Sequence, residues 1–339
     1  MQKNNINLPI TFSRLKNGLR VVVSEDRSAP IATVAVFYQV GFRSETKGRT
    51  GFAHLFEHLM FQGTENIPKN RFIKLIEETG GIVNGTTQPD FTNYFETLPS
   101  EAVDLALWIE FERMINPVIT KNELNNQRDV VKNEIKVNVL NRPYGGFPWI
   151  DMSEKAFNNW HNYHNGYGDM QDLNAASLSD VKEFYNQHYH PGNATIVIVG
   201  DVNPNQVIKK VESLFSDIPH RASANVLDLS EKIQKKEQKF FKTDPLAPKP
   251  AVCFAYHMPK RMSDEFFAFG LFDQMLIQGE DSYLRNILVR EKAMTDEVFG
   301  GITFEGNMFT SVDPMLWHFS MIHDHIRDAS KITDIVDNA

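Results

Sequence analysis

The segment of this 339-residue chain best suited to chemistry is His54-Leu55-Phe56-Glu57-His58. On a helix, His54 and His58 stand one turn apart on a single face, and Glu57, three residues after His54, shares that face. Two imidazoles so spaced can fill two tetrahedral positions of one zinc ion, leaving the carboxylate beside the metal as a base. The order His-x-x-Glu-His inverts the commoner His-Glu-x-x-His pattern and is a hydrolase signature in its own right. Paired histidines on a half-apolar helix also arise through packing alone, so the pentapeptide by itself leaves both readings open.

The elements that must position these groups are legible around them. Gly51 to Phe61 reads as a helix, with Phe52/Phe56 and Leu55/Leu59 at four-residue spacing forming an apolar flank. Thr50 is its expected N-cap and Gln62-Gly63-Thr64 its stop. A catalytic zinc needs a third protein ligand and one open position. Thr120 to Leu140 reads as a second helix, opened by a Thr120/Glu123 capping box. It carries Glu134, with 75 residues between it and His58. One carboxylate with two neutral imidazoles would leave a centre of formal charge +1. The residues alone do not separate Glu134 from the other carboxylates of a solvated helix.

Taken together, His54, Glu57, His58 and Glu134 resemble, position by position, the pattern of the pitrilysin–insulysin family of zinc peptidases, which includes the mitochondrial processing peptidase. Phe12 to Glu25, Glu78 to Pro99, Gln127 to Gly145 and His190 to Val202 resemble further family segments in the same order, so the likeness covers nearly the whole chain. The likeness is to small bacterial-type members rather than to the four-domain enzymes. The resemblance implies Zn2+ on His54, His58 and Glu134, with Glu57 as general base. It implies an α+β fold of two related α/β-sandwich halves of the pitrilysin/processing-peptidase type. It also implies that Val83 to Thr87, short of large side chains, accepts an extended peptide by strand addition, with Asn84, Gly85 and Thr86 lining the substrate.

Two departures qualify that pattern. Many relatives carry a glutamate seven residues before the third ligand, and here the position is Gln127. Two helical turns place it on the face of Glu134, where an amide can orient a water or a substrate without carrying charge. Relatives also use an Arg/Tyr pair late in the second half. The first half spans about 185 residues and the stretch from Ala251 about 90, below the usual domain size. The expectation is therefore an incomplete second half, with the pair supplied by chain beyond Ala339 or by a partner. The expected partners are a peptide substrate and a second subunit, in a homodimer or a heterodimer. A scaffold subunit without activity, or the catalytic half of a dedicated maturation peptidase, are the alternatives.

Composition sets outer limits. The chain is 42% hydrophobic and 23% charged, with a net charge of −8. That offers no electrostatic footprint for nucleic acid. No run of 18 apolar residues is present, so no membrane span is expected. The N-terminus lacks an apolar signal region, which suggests a cytoplasmic chain, or a periplasmic or exported one if that end has been processed. Cys253, the single cysteine, is expected in the core. The expected division is residues 1–225 as the zinc-binding domain, 226–250 as a connection containing a strand, and 251–339 as the start of a second similar domain. Strands are expected at 18–23, 31–40, 82–98 and 194–199, and helices at 69–79, 100–114 (capped by Ser100), 205–215 and 328–338. The groups His161/His164, His188/His190 and His318/His323/His325 read as packing or surface histidines.

Overall fold

The computed structural model describes residues 8–69, 71–221, 226–232, 234–324 and 329–338. The fold is α+β and divides into two compact units, Met1–Val131 with Gly166–Val226, and Lys132–Asn165 with Leu227–Ala339. In chain order the helices are α1 (Phe52–Leu59), α2 (Arg71–Glu77), α3 (Val103–Ile115), α4 (Lys121–Ile135), α5 (Trp149–Ala156), α6 (Trp160–Tyr163), α7 (Met170–Ala175), α8 (Leu178–His188), α9 (Pro204–Phe215), α10 (Asp264–Leu276), α11 (Tyr283–Arg285) and α12 (Ala329–Asp337).

The first unit is built on a six-stranded sheet of β1 (Ile10–Arg14), β2 (Arg20–Glu25), β3 (Ile31–Tyr38), β4 (Ile82–Thr87), β5 (Thr92–Pro99) and β6 (Ala194–Gly200), in the order β1-β2-β6-β3-β5-β4. All neighbours are antiparallel except β2 and β6. The β-branched alternation of the central strands explains their pairing. Val21 and Val23 register with Ile196 and Ile198, which register with Val36 and Val34. All six are fully buried, each contributing roughly 1.5–3 kcal/mol of apolar burial. Two consequences matter for the site. β4 ends the sheet, so one of its edges is not paired within it. Gly85 of β4 registers with Tyr94 of β5, and Val83 with Glu96.

Glu96, midway along β5, belongs to a buried ion cluster. Arg113 of α3 lies 3.3 Å from Glu96 and 2.9 Å from Glu110, with all three side chains wholly buried. Its guanidinium sits 4.2 to 4.8 Å from the ring centres of Phe72, Tyr94 and Phe61. Burial, and then the charge of Glu110, push the Glu96 carboxyl well above the usual range, against the opposing pull of Arg113. One guanidinium is shared by two buried carboxylates, and their mutual repulsion adds to burial in raising the Glu96 carboxyl.

In the second unit β7 (Ala251–His257), β9 (Leu316–Ile322) and β8 (Phe299–Ile302) form an antiparallel sheet in that order. Phe266, Leu288, Phe319 and Ile332 centre its core, and Trp317 donates its indole N–H to buried Asp273 at 2.9 Å. The order β7, α10, β8, β9, α12 repeats the order β3, α1, β4, β5, α3, the two-half architecture the resemblance implied.

Several local expectations need correction. Among the described residues of 226–250 there is no strand. Prolines interrupt that stretch, and its polar groups bond to residues 144–162 instead. Asp244 accepts from Tyr144 N at 2.8 Å, and Glu231 from the backbones of Asn158 and Asn159 at 2.9 Å. Ser100 opens a 3-10 turn rather than capping α3, whose N-cap is Ala102. The second site helix ends at Ile135, and Lys136–Leu140 continues as a π-helical turn. β1 was not anticipated, because exposed Ile10 and Phe12 alternate too briefly to stand out.

Candidate metal centre

Helix α1 carries the inverted motif, and its apolar residues explain its orientation. Phe52, Leu55, Phe56 and Leu59 are buried. Phe56 packs on Phe184 of α8 at 4.8 Å and on Tyr189 at 5.2 Å. The opposite face therefore presents His54, Glu57 and His58, all half-buried.

Both ends of α1 are held by charges from elsewhere. Thr50 is not its cap: the N-cap is Gly51, in the left-handed region at φ 81° with no side-chain bond. Glu45 does the capping, accepting from Gly51 N and Ala53 N at 2.9 Å each. Thr50 is used differently, donating its hydroxyl to Asp172 at 2.7 Å and accepting from Asp169 N at 2.8 Å. At the other end Arg113 donates to Met60 O at 3.3 Å. An anion at the N-terminus and a cation at the C-terminus both match the helix dipole.

Helix α4 brings the third group. Thr120 accepts from Glu123 N at 3.2 Å, the first bond of the expected capping box, and the Glu123 carboxylate accepts the Thr120 hydroxyl at 2.7 Å. Leu124 and Val131 bury its inner side, and Arg128 ties it to Asn174 O at 3.2 Å. The division between units falls within α4, but the helix is continuous from Lys121 to Ile135. Glu134 is therefore placed by a rod anchored along its first three turns.

The three groups converge. His54, His58 and Glu134 each offer a ligand atom within 4.8 Å of the others, and they are the only such cluster among the described residues. The two imidazole Nε2 atoms are 3.3 Å apart. Nitrogens bound at the usual zinc distance with a tetrahedral angle between them lie roughly 3.3 Å apart. The rings thus already stand at chelating separation, and the donor set of two imidazoles and one carboxylate fits a zinc ion with an open position.

Glu57 faces the edge strand. Thr87 Oγ1 donates to Glu57 Oε2 at 2.7 Å. A Cβ on Gly85 would come within 3.1 Å of Phe61, 3.2 Å of Tyr94 and 3.3 Å of Glu57, so glycine lets β4 approach the base closely. Of the other expected residues, Asn84 is exposed on β4, Thr86 is half-buried and bonded to Asn93, and Gln127 is buried on α4. Glu45 and Tyr167 were not expected at the site, and Thr87 was expected there only as part of the peptide-accepting segment, not as a partner of Glu57. Tyr167 stands edge-on to His54, with ring centres 5.1 Å apart and planes at 84°.

Among the described residues, the remaining histidines form no second centre. His164 stacks on Trp160 at 4.0 Å, His188 packs against Phe184 at 4.6 Å, and His318 stacks on Phe304 at 3.9 Å. His325 lies outside the described residues. Cys253 is half-buried and unbridged, and burial pushes its thiol up to about 12.

A two-half α+β fold with an inverted His/His/Glu cluster at one sheet edge defines the class of the inverted zinc peptidases. The chain belongs to peptidase family M16, the pitrilysin–insulysin family. Residues 20–143 match the family described as Insulinase (Peptidase family M16), and residues 175–331 match Peptidase M16 inactive domain. The chain is 29% identical over 297 residues to the zinc protease PqqE of Helicobacter pylori, covering 84% of this chain and 65% of that one. It is 26% identical over 212 residues to the probable mitochondrial-processing peptidase subunit beta of Arabidopsis thaliana, covering 60% and 38%. The crystal structure of a protease from Helicobacter pylori superposes with a TM-score of 0.85 at 25% identity, over 98% of this chain and 79% of that one. This chain thus spans less than two thirds of the length of both sequence relatives. Among the described residues, no helix is long and apolar enough to cross a membrane.

Proposed function

We propose that this chain carries the catalytic half of a zinc-dependent endopeptidase acting on peptides bound in extended form. The observation that carries the reading is the convergence of His54, His58 and Glu134 within 4.8 Å, with Glu57 on the same helix as the two histidines. In this reading those three residues hold the zinc, which when bound supplies the Lewis acidity that lowers the pKa of a water toward ~7.

The chain's own groups supply the rest. A peptide adds to the edge of β4, with its backbone meeting Asn84, Gly85 and Thr86. Glu57 removes the water's proton and later delivers it to the leaving amine. Thr87 fixes one Glu57 oxygen and so aims the other. Gln127, one face with Glu134, orients polar groups in the cleft without adding charge. Residues 1–225 form the metal-bearing half in this scheme and 251–339 part of the related half. A second subunit carries the Arg/Tyr pair, in a homodimer or a heterodimer.

The test is elemental analysis of the purified chain, wild type beside Glu134→Ala. The expected result is about one zinc per wild-type chain and loss of it in the variant. A folded wild type that binds no zinc removes the reading and favours a scaffold role.

A further inference from the structure

Between α6 and α7 the chain runs through Gly166-Tyr167-Gly168, a turn lying against the start of α1. Its fit there is close at every residue. A Cβ on Gly166 would meet the Phe42 ring at 2.6 Å, and one on Gly168 would meet the Gly51 backbone at 2.4 Å. Gly168 also takes φ +80°, a conformation side-chain-bearing residues rarely adopt. From the other side, a Cβ on Gly51 would meet Tyr167 O at 2.7 Å. Three hydrogen bonds fasten the turn just beyond: Asp172 accepts from Thr50 N at 3.1 Å and from Thr50 Oγ1 at 2.7 Å, and Asp169 N donates to Thr50 Oγ1 at 2.8 Å. Glycines at Gly51, Gly166 and Gly168 thus allow one bulky side chain, Tyr167, to be delivered to one place, edge-on to the His54 ring.

A histidine can present its nitrogen to a metal only within a narrow range of ring rotation, and His54 sits in the first turn of a short helix. Edge-to-face contact is directional, so a fixed aromatic ring on one side defines the plane of the imidazole. Partners that orient metal-binding histidines typically account for 10- to 100-fold in metal affinity. They do so most often through a hydrogen bond, whereas a ring edge does it by shape.

We infer that Tyr167 is a positioning residue for the metal centre: its aromatic ring, carried on the Gly166–Gly168 turn, holds the His54 imidazole in its ligating orientation. The inference rests on the zinc reading above and assigns the role to the ring rather than to the phenol hydroxyl.

The experiment uses the metal-stripped full chain as wild type, Tyr167→Phe, Tyr167→Leu and Tyr167→Ala. Zinc affinity is read by competition with a chromophoric chelator, and the melting temperature of each stripped protein is read alongside. Tyr167→Phe should bind zinc as wild type does. Tyr167→Leu and Tyr167→Ala should bind about tenfold or more weakly, with the Leu variant melting as wild type. A Phe variant as weak as the Ala variant would overturn the assignment to the ring, and full affinity in the Leu and Ala variants would overturn the positioning role. A wild type that takes up no zinc would fail the metal reading itself, and the inference with it, a result distinct from both.

Discussion

Thr87 donates a 2.7 Å hydrogen bond to Glu57 across a separation of 30 residues, joining the last residue of the edge strand to the proposed base on the metal helix. The strand that would receive a peptide and the carboxylate that would act on it are therefore one hydrogen-bonded unit. Glu57→Gln should keep zinc and lose about 10²–10⁴ in kcat, the usual worth of a positioned base. Thr87→Val should keep zinc too and lose about tenfold, since one Glu57 oxygen is released while the carboxylate stays. Peptide turnover measured beside zinc content checks both, and undiminished turnover in Glu57→Gln would remove Glu57 as the base.

Gly85 supports the same approach by having no side chain. Its absent Cβ would press within 3.1–3.3 Å of Phe61, Tyr94 and Glu57. Gly85→Ala forces small shifts, whereas Gly85→Val pushes β4 away from the base. A displacement near 1 Å costs about 10²-fold in rate, so Gly85→Val should lose that much kcat/KM with zinc retained. Wild-type kcat/KM in the valine variant would show that the close approach has no part in turnover.

Arg113 secures the far end of the metal helix from within the core. Removing its charge leaves Glu110 buried without a cation and frees Met60 O. Arg113→Met should destabilise the chain by about 3–5 kcal/mol, the usual result of orphaning one member of a buried ion pair. Urea unfolding measures this, and the double variant Arg113→Met/Glu110→Gln should recover part of the loss. An unchanged midpoint in the single variant would mean the cluster contributes little.

Acid should weaken both units through buried histidines. Burial draws His188 in the first unit and His318 in the second down from 6.5 to about 4. Both are neutral in the folded chain at pH 5, whereas the unfolded chain takes up their protons from pH 6.5 downward. Their contribution is thus complete above pH 6.5 and is lost as pH falls toward 4, up to about 3 kcal/mol for each by linkage. Urea midpoints of the metal-stripped chain should fall between pH 7.5 and 5, and less steeply in His188→Gln. Equal slopes in the two proteins would remove His188 from the effect.

Local order was what the sequence by itself determined. The spacing of His54, Glu57 and His58 defines a face only on a helix, and Phe52, Leu55, Phe56 and Leu59 supply the period that makes one. The valine and isoleucine runs of β2, β3 and β6 mark strands by alternation, and Thr120 with Glu123 marks a helix start. Each depends on residues within one turn or one strand, where periodicity leaves a trace. Glu134 became a specific expectation only through resemblance, since nothing local distinguishes it from its neighbours on α4.

Tertiary structure decided the rest. Glu45 caps α1 from six residues before its N-cap Gly51, outside the reach of any local capping pattern, which is why Thr50 looked like the cap. The position of β4 at the sheet edge, the Thr87–Glu57 bond, the Arg113 clamp and the Tyr167–His54 contact all follow from the strand order β1-β2-β6-β3-β5-β4 and from backbones that approach only where glycine permits. Pairing across tens of residues is set by packing of the whole unit and has no period along the chain. The ligand pair was therefore readable in five residues, while the surroundings that orient it had to be folded to be seen.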